Sequence, residues 1–340
     1  MAIRCLRRRF FVLSCHDDYM TTIGLVLSAG GTSGAAHHAG VLAALEEATG
    51  WDARSADLMV GTSAGASTAA TLRAGLSATD HAAYYNKTPL SAAGQAISDR
   101  VTTRLDLPEN PPPPTNRRPA NPTLLVRGIF GRGRPRPVVS LTGVLHEGTV
   151  DGSALAARVS ESHPEPWPDA ATWICAVNLR SGQRVVFGRD DISADLGPAV
   201  QASSAIPGYF EPTVINGQRY VDGGVHSTTN ASLVAGLGFD LVIISSSMTA
   251  VAQESSWPGG PLGRAWHSRT LRREVEAIRA SGTPVLVFQP TADDLAVRET
   301  SNLATHNSAA VCSAARISTL AHLAHPRSAT GRTLLENHSS

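Results

Sequence analysis

The sequence predicts an α/β fold in which a central, mostly parallel sheet is covered by helices on both faces. Three observations predict it: apolar runs of strand length recur, the first two end at glycine and lead straight into helical patterns, and the alternation continues toward the C-terminus. The first run is Ile23 to Leu27, closed by Ser28-Ala29-Gly30-Gly31, after which Val41, Leu42 and Leu45 fall at helical spacing within Ala35 to Ala48. The second is Leu58-Met59-Val60, stopped by Gly61, and the Ala-, Thr- and Leu-built stretch from Ala64 to Ala74 reads as a helix capped by Gly75. Further strands are expected at Trp173 to Val177, Arg184 to Phe187, Leu241 to Ser245 and Pro284 to Phe288. Helical patterns cover Asp195 to Ser203, Arg264 to Ser281 and Ser308 to His322. Between Pro108 and Pro137 the composition shifts to Pro111 to Pro114 and a scatter of arginines (Arg117, Arg118, Arg127, Arg132, Arg134, Arg136). This stretch reads either as a solvated loop or as a basic flap that touches lipid headgroups or an acidic substrate.

Composition narrows the function classes. The 340 residues are 42% hydrophobic and 17% charged, and 29 basic against 28 acidic residues leave a formal charge of +1. A globular chain without a strong global field follows, so nucleic acid is not an expected partner. Cys5, Cys15, Cys175 and Cys312 form neither a Cys-x-x-Cys pair nor a zinc spacing and read as free thiols in a reducing, cytoplasmic setting. Asp17-Asp18, Asp190-Asp191 and Asp293-Asp294 are acidic pairs without a third ligand at a recognisable spacing. They read as solvated loop charges, and no metal or organic cofactor is expected. Residues 1–19, with Arg4, Arg7, Arg8 and Arg9 before a short apolar stretch, read as a disordered extension; residues 20–325 are expected to form the domain and residues 326–340 a polar tail.

Three segments carry chemistry. Gly61-Thr62-Ser63-Ala64-Gly65 fits G-x-S-x-G between an apolar run and a helical segment, the context in which a sharp strand-to-helix turn exposes a serine hydroxyl. Such a hydroxyl needs a base and donors for the developing oxyanion. Gly30-Gly31-Thr32-Ser33-Gly34 can supply the donors, because glycine lets backbone N–H groups approach a ligand and the following helix presents its positive end. A nucleotide-phosphate site is the rival use of that loop, but it lacks both the Gly-Lys-Ser/Thr ending and the G-x-G-x-x-G spacing. In the third segment, Tyr220-Val221-Asp222-Gly223-Gly224-Val225, an aspartate ends an extended run before two glycines.

Together these segments resemble the patatin-like phospholipase family, which combines a glycine-rich oxyanion loop, a G-x-S-x-G elbow and a D-G-G or D-G-A motif. The stretch Ala202-Ser203-Ser204-Ala205-Ile206-Pro207-Gly208-Tyr209-Phe210-Glu211-Pro212 is similar to the family's A-S-x-A-x-P-G-x-F-x-P string, and the likeness runs from about Thr21 to Phe288. The resemblance implies a three-layer α/β/α fold and a serine acyl hydrolase of lipid esters with transient membrane-surface contact. It assigns Ser63 as nucleophile, Asp222 as its partner without a histidine, and the Gly30 and Gly31 amides as oxyanion donors. The loop departs from the family's common G-G-G-x-R/K-G at two places, with Ala29 at the first glycine and Ser33 at the basic position. Two other readings stand beside it: a Ser-His-Asp triad on an α/β-hydrolase fold, and a non-catalytic lipid or acyl-chain binder that retains the patatin-like fold. His37, His38 and His226 could line the pocket but read first as structural groups, and Ser245-Ser246-Ser247 at a strand's carboxyl end is a candidate pocket lining.

Overall fold

The computed structural model describes residues 21–108, 112–113, 121, 145–251, 261–298, 303 and 305–338, with side chains of the segment after 260 described from Arg264. The expectations placed on residues 1–19 lie outside these residues, as do nearly all of those placed on 108–137.

Strand β1 (Ile23–Leu27) leads into helix α1 (Gly31–Thr49), and β2 (Leu58–Gly61) into α2 (Ala64–Arg73), as the apolar runs predict. Helix α1 begins four residues earlier than the periodicity placed it, because the glycine loop turns directly into its first turn with Gly31 at φ +59°. Next come α3 (Ala78–Asn86), α4 (Ala92–Arg100) and α5 (Ser153–Ser162), then β3 (Thr172–Asn178), β4 (Arg184–Phe187) and α6 (Leu196–Ser204). The hairpin β5 (Thr213–Ile215) and β6 (Gln218–Asp222) precedes β7 (Leu241–Ser245), α7 (Pro261–Ala280), β8 (Val285–Phe288), α8 (Ala292–Ala296), α9 (Ser308–Ala324) and α10 (Ala329–His338). Residues 326–338, expected as part of a polar tail, instead form a 3-10 turn and α10, whose fully buried Leu335 packs into the main core. Among the described residues no helix is long and apolar enough to cross a membrane.

The sheet is mixed and mostly parallel, in the order β5-β6-β3-β2-β1-β7-β8 with β4 on the other edge of β3. Alternation within β1 divides the two faces. Ile23, Leu25 and Leu27 point into the cluster built with α1, α9 and α10, while Val26 points into the cluster built with α7 and residues 231–234. Helices α5 and α6 cover the β3–β6 region on the first face through Val159, Leu196, Ala199 and Val200, giving three layers.

Register decides where the strands end. Leu27 pairs with both Gly61 and Ser245, and Ser245 pairs with Phe288, so four parallel strands finish level at their carboxyl ends. Strand β4 occupies one edge of β3 from Ile174 to Val177, so β2 and β6 must share the other. Parallel β2 ends opposite Ile174 and antiparallel β6 ends opposite Ala176. The two strands therefore meet carboxyl end to carboxyl end, separated by about 7 Å of β3 backbone.

Candidate active site

The meeting of β2 and β6 brings Ser63 and Asp222 together from 159 positions apart in the chain. Ser63 follows β2 by two residues and caps α2 with φ +53° and ψ −116°, a left-handed conformation costly for a residue with a Cβ. The strained turn places Ser63 at the positive end of α2, where its side chain makes no capping hydrogen bond. Close packing of the elbow demands Gly65: a Cβ there would lie 2.1 Å from the Leu27 carbonyl oxygen. Gly61 is also closely packed, its missing Cβ 2.6 Å from the Ala66 Cα.

Asp222 is the last residue of β6 and only 5% exposed. Its carboxylate accepts a hydrogen bond from the Gly224 N–H at 2.7 Å, and the nearby Ser63 hydroxyl favours its ionised form. Burial pushes the carboxyl up from its ordinary 3.8 to about 6, against the pull of those two groups. Gly223 packs on the Cys175 carbonyl of β3, and Gly224 stands against the Ala29 side chain, which sets the aspartate beside the glycine loop.

The loop's amides divide by function. The Ala29 N–H is taken by the Thr228 carbonyl at 2.8 Å, so it does not point a free donor at a ligand. Gly30 caps α1 and Gly31 opens it, and a first-turn amide has no carbonyl four residues back within its helix. Gly30 accepts through its own carbonyl from the Gly34 N–H, which holds the loop tight on the helix. A Cβ on Gly30 would collide with the Ser247 hydroxyl 2.1 Å away.

Several residues that position this site were not legible in the sequence. The Ser203 hydroxyl accepts from the Ser63 N–H at 2.8 Å and donates to the Cys175 carbonyl at 2.6 Å, so it ties the elbow to β3. The Asn230 amide donates to the Thr62 hydroxyl at 3.1 Å and the Ser227 carbonyl at 2.7 Å, and lies 3.4 Å from the Gly223 carbonyl, which pins the residues beside Ser63 and Asp222 to each other. Buried Glu274 of α7 accepts from the Ser227 and Thr229 hydroxyls and the Ala231 N–H, anchoring that loop. These residues sit far from their partners in the chain, so no spacing announces them.

The other candidates resolve differently. His38 is buried between the Ser245 hydroxyl at 2.7 Å and the Ser28 carbonyl at 2.8 Å, and burial lowers its pKa to about 4, which fits a neutral structural group. His37 is buried on the same helix, and His226 follows the turn after Asp222. Ser245, Ser246 and Ser247 are fully buried beneath the loop and do not line an open pocket. Asp294 is a buried cap of α8 and not a solvated charge, and Asp190 binds the Val186 N–H and Arg189. Cys175 and Cys312 are buried free thiols.

Residues 25–235 match the sequence model of the family described as patatin-like phospholipase. The chain belongs to the patatin-like phospholipase family. It is accordingly an enzyme of the lipid acyl hydrolase class, and its mixed, mostly parallel sheet between helical layers is a patatin-like fold. Two solved structures are similar to this patatin-like chain. VipD from Legionella pneumophila has 14% identity and a TM-score of 0.43, with 94% of this chain and 67% of that one covered. The type III effector protein ExoU has 17% identity and a TM-score of 0.35, with 89% and 53% covered, so this chain spans about half the length of ExoU.

Proposed function

We propose that the protein hydrolyses fatty-acyl esters of lipids through a Ser63–Asp222 dyad and an acyl-enzyme. The observation that carries this reading is the placement of Ser63, at its strained elbow, near enough to the buried Asp222 carboxylate to favour its ionised form. Asp222 takes the Ser63 proton as Oγ attacks the ester carbonyl, and the Gly30 and Gly31 amides receive the negative charge on the former carbonyl oxygen. Collapse of the tetrahedral adduct breaks the ester bond, and the departing alcohol takes the proton back from Asp222. Water, deprotonated by Asp222, then attacks the acyl-serine; the fatty acid leaves and Ser63 regains its hydrogen.

A carboxyl with a pKa near 6 suits this task, since it is ionised at neutral pH yet basic enough to share a proton. No histidine is hydrogen-bonded to Ser63 or Asp222 among the described residues, and His38 is held instead by Ser245 and Ser28, which weighs against the triad. Lipid as the acyl donor comes from the family, and transient contact with a membrane surface follows from that substrate.

A fluorophosphonate probe separates the enzyme from a non-catalytic binder. Covalent labelling and ester turnover are expected in the parent and absent in Ser63→Ala. Lipid binding by the parent without labelling or turnover would establish the binder instead.

A further inference from the structure

Arg298, just beyond α8, is 6% exposed and lies behind the glycine loop. Its Nη1 donates to the Ser247 carbonyl at 2.8 Å, while its Nε and Nη2 have no hydrogen-bond partner among the described residues. Ser247 is the link to the loop: its hydroxyl donates to the Ala29 carbonyl at 2.8 Å and fills the space where a Gly30 side chain would stand. Its N–H is held in turn by the Ser28 hydroxyl at 2.9 Å.

The charges that act on this guanidinium are Arg264, which opposes it, and Asp294, which favours it without a hydrogen bond. Arg264 reaches the same Ser247 carbonyl at 3.5 Å and the Thr249 carbonyl at 3.3 Å, and its charge opposes that of Arg298. The amino end of α1, itself electropositive, lies alongside. On the first two turns of α1, the Ser33 hydroxyl is buried without a hydrogen-bond partner among the described residues, and burial together with the Arg298 charge favours the neutral form of His37 against the pull of the Phe288 backbone. Asp294 acts on Arg298 only through space, since its Oδ2 caps Thr291 and its Oδ1 bonds nothing among the described residues. Desolvation accordingly lowers the Arg298 pKa to about 10.

A buried cation with one hydrogen-bond acceptor among the described residues, beside a second cation and a helix amino end, costs folding free energy, and the Asp294 carboxylate, which does not bond it, offsets only part of that cost. The cost is recovered when negative charge forms nearby. We propose that Arg298 is the positioning residue of the amide loop, supplying through Ser247 the fixed positive charge that favours the oxyanion on Gly30 and Gly31. This inference rests on the hydrolase reading. It also accounts for Ser33 at the position where the family pattern carries Arg or Lys: here the cation comes from 265 residues further along the chain.

The test is steady-state hydrolysis of a p-nitrophenyl ester by the parent, Ser63→Ala, Arg298→Met and Arg298→Lys, with thermal melts and inhibition by a boronic acid that mimics the tetrahedral adduct. Arg298→Met is expected to lower kcat by about ten- to a hundredfold with KM within about threefold, and to weaken boronate inhibition by a similar factor. Its melting temperature should stay within about 5 °C of the parent, because the lost hydrogen bond is offset by removal of a buried charge. Arg298→Lys, which keeps the charge, should recover most of kcat. An unchanged kcat in Arg298→Met, failure of Arg298→Lys to recover, or a Met variant that melts far lower or does not fold would each overturn the inference and leave the hydrolase reading standing. Absence of Ser63-dependent turnover in the parent would overturn both.

Discussion

Substituting Asp222 by Asn should make the protein more stable while it stops turning over. Burial holds the Asp222 carboxyl near 6 in the folded state against an ordinary value of 3.8, so the folded protein binds this proton more tightly than the unfolded chain does. Stability therefore falls as pH rises from about 4 through about 6, and the ionised carboxylate costs about 3 kcal/mol at pH 8. At pH 5 the same relation gives about 1.5 kcal/mol, since much of the folded population is still protonated there. Asn keeps an oxygen that can accept from the Gly224 N–H and carries no charge to desolvate. Asp222→Asn should thus exceed the parent by up to about 3 kcal/mol in urea unfolding at pH 8, with the gain roughly halved at pH 5. Ester turnover should fall by about 10²- to 10⁴-fold, and the parent's kcat/KM should rise with pH through an apparent pKa near 6. A variant less stable than the parent at pH 8, or a difference that does not shrink at pH 5, would refute the account of this carboxyl.

Ser203→Ala removes the acceptor of the Ser63 N–H; a loss of about 1–3 kcal/mol in denaturant unfolding and a lower kcat with nearly unchanged KM are expected, whereas unchanged kcat would remove Ser203 from the positioning of the elbow. Leu335→Ala should cost about 2–5 kcal/mol if α10 is part of the core, and a loss below about 0.5 kcal/mol would show that helix to be dispensable.

The central strands were legible because β1, β2 and β7 are apolar runs with both faces covered, and Ile23–Leu27, Arg184–Phe187 and Leu241–Ser245 appear with the bounds that the pattern predicts. Helices α3 and α4 were not. Helix α4 buries only Gly94 and carries no apolar stripe; what starts it is Ser91, whose side chain accepts from the Gly94 N–H. The polar look of α10 likewise hid a helix whose core contribution is concentrated in Gly331 and Leu335. At the site, Ser63 and the loop glycines announced themselves through local turn chemistry, and Asp222 through a motif known from a family. Ser203 lies 140 positions from the amide it serves and Asn230 168 from Thr62, while Glu274 and Arg298 act across gaps of 43 to 51, so only tertiary structure exposes their roles.

The head-to-head arrival of two strands on one edge of β3 makes the reach between nucleophile and base a property of a single strand. Whatever length of chain is threaded between Gly61 and Gln218, the reacting pair inherits its separation from the interval between Ile174 and Ala176. Segments grafted into the intervening connections can therefore reshape what enters the site without retuning the distance at which protons change hands.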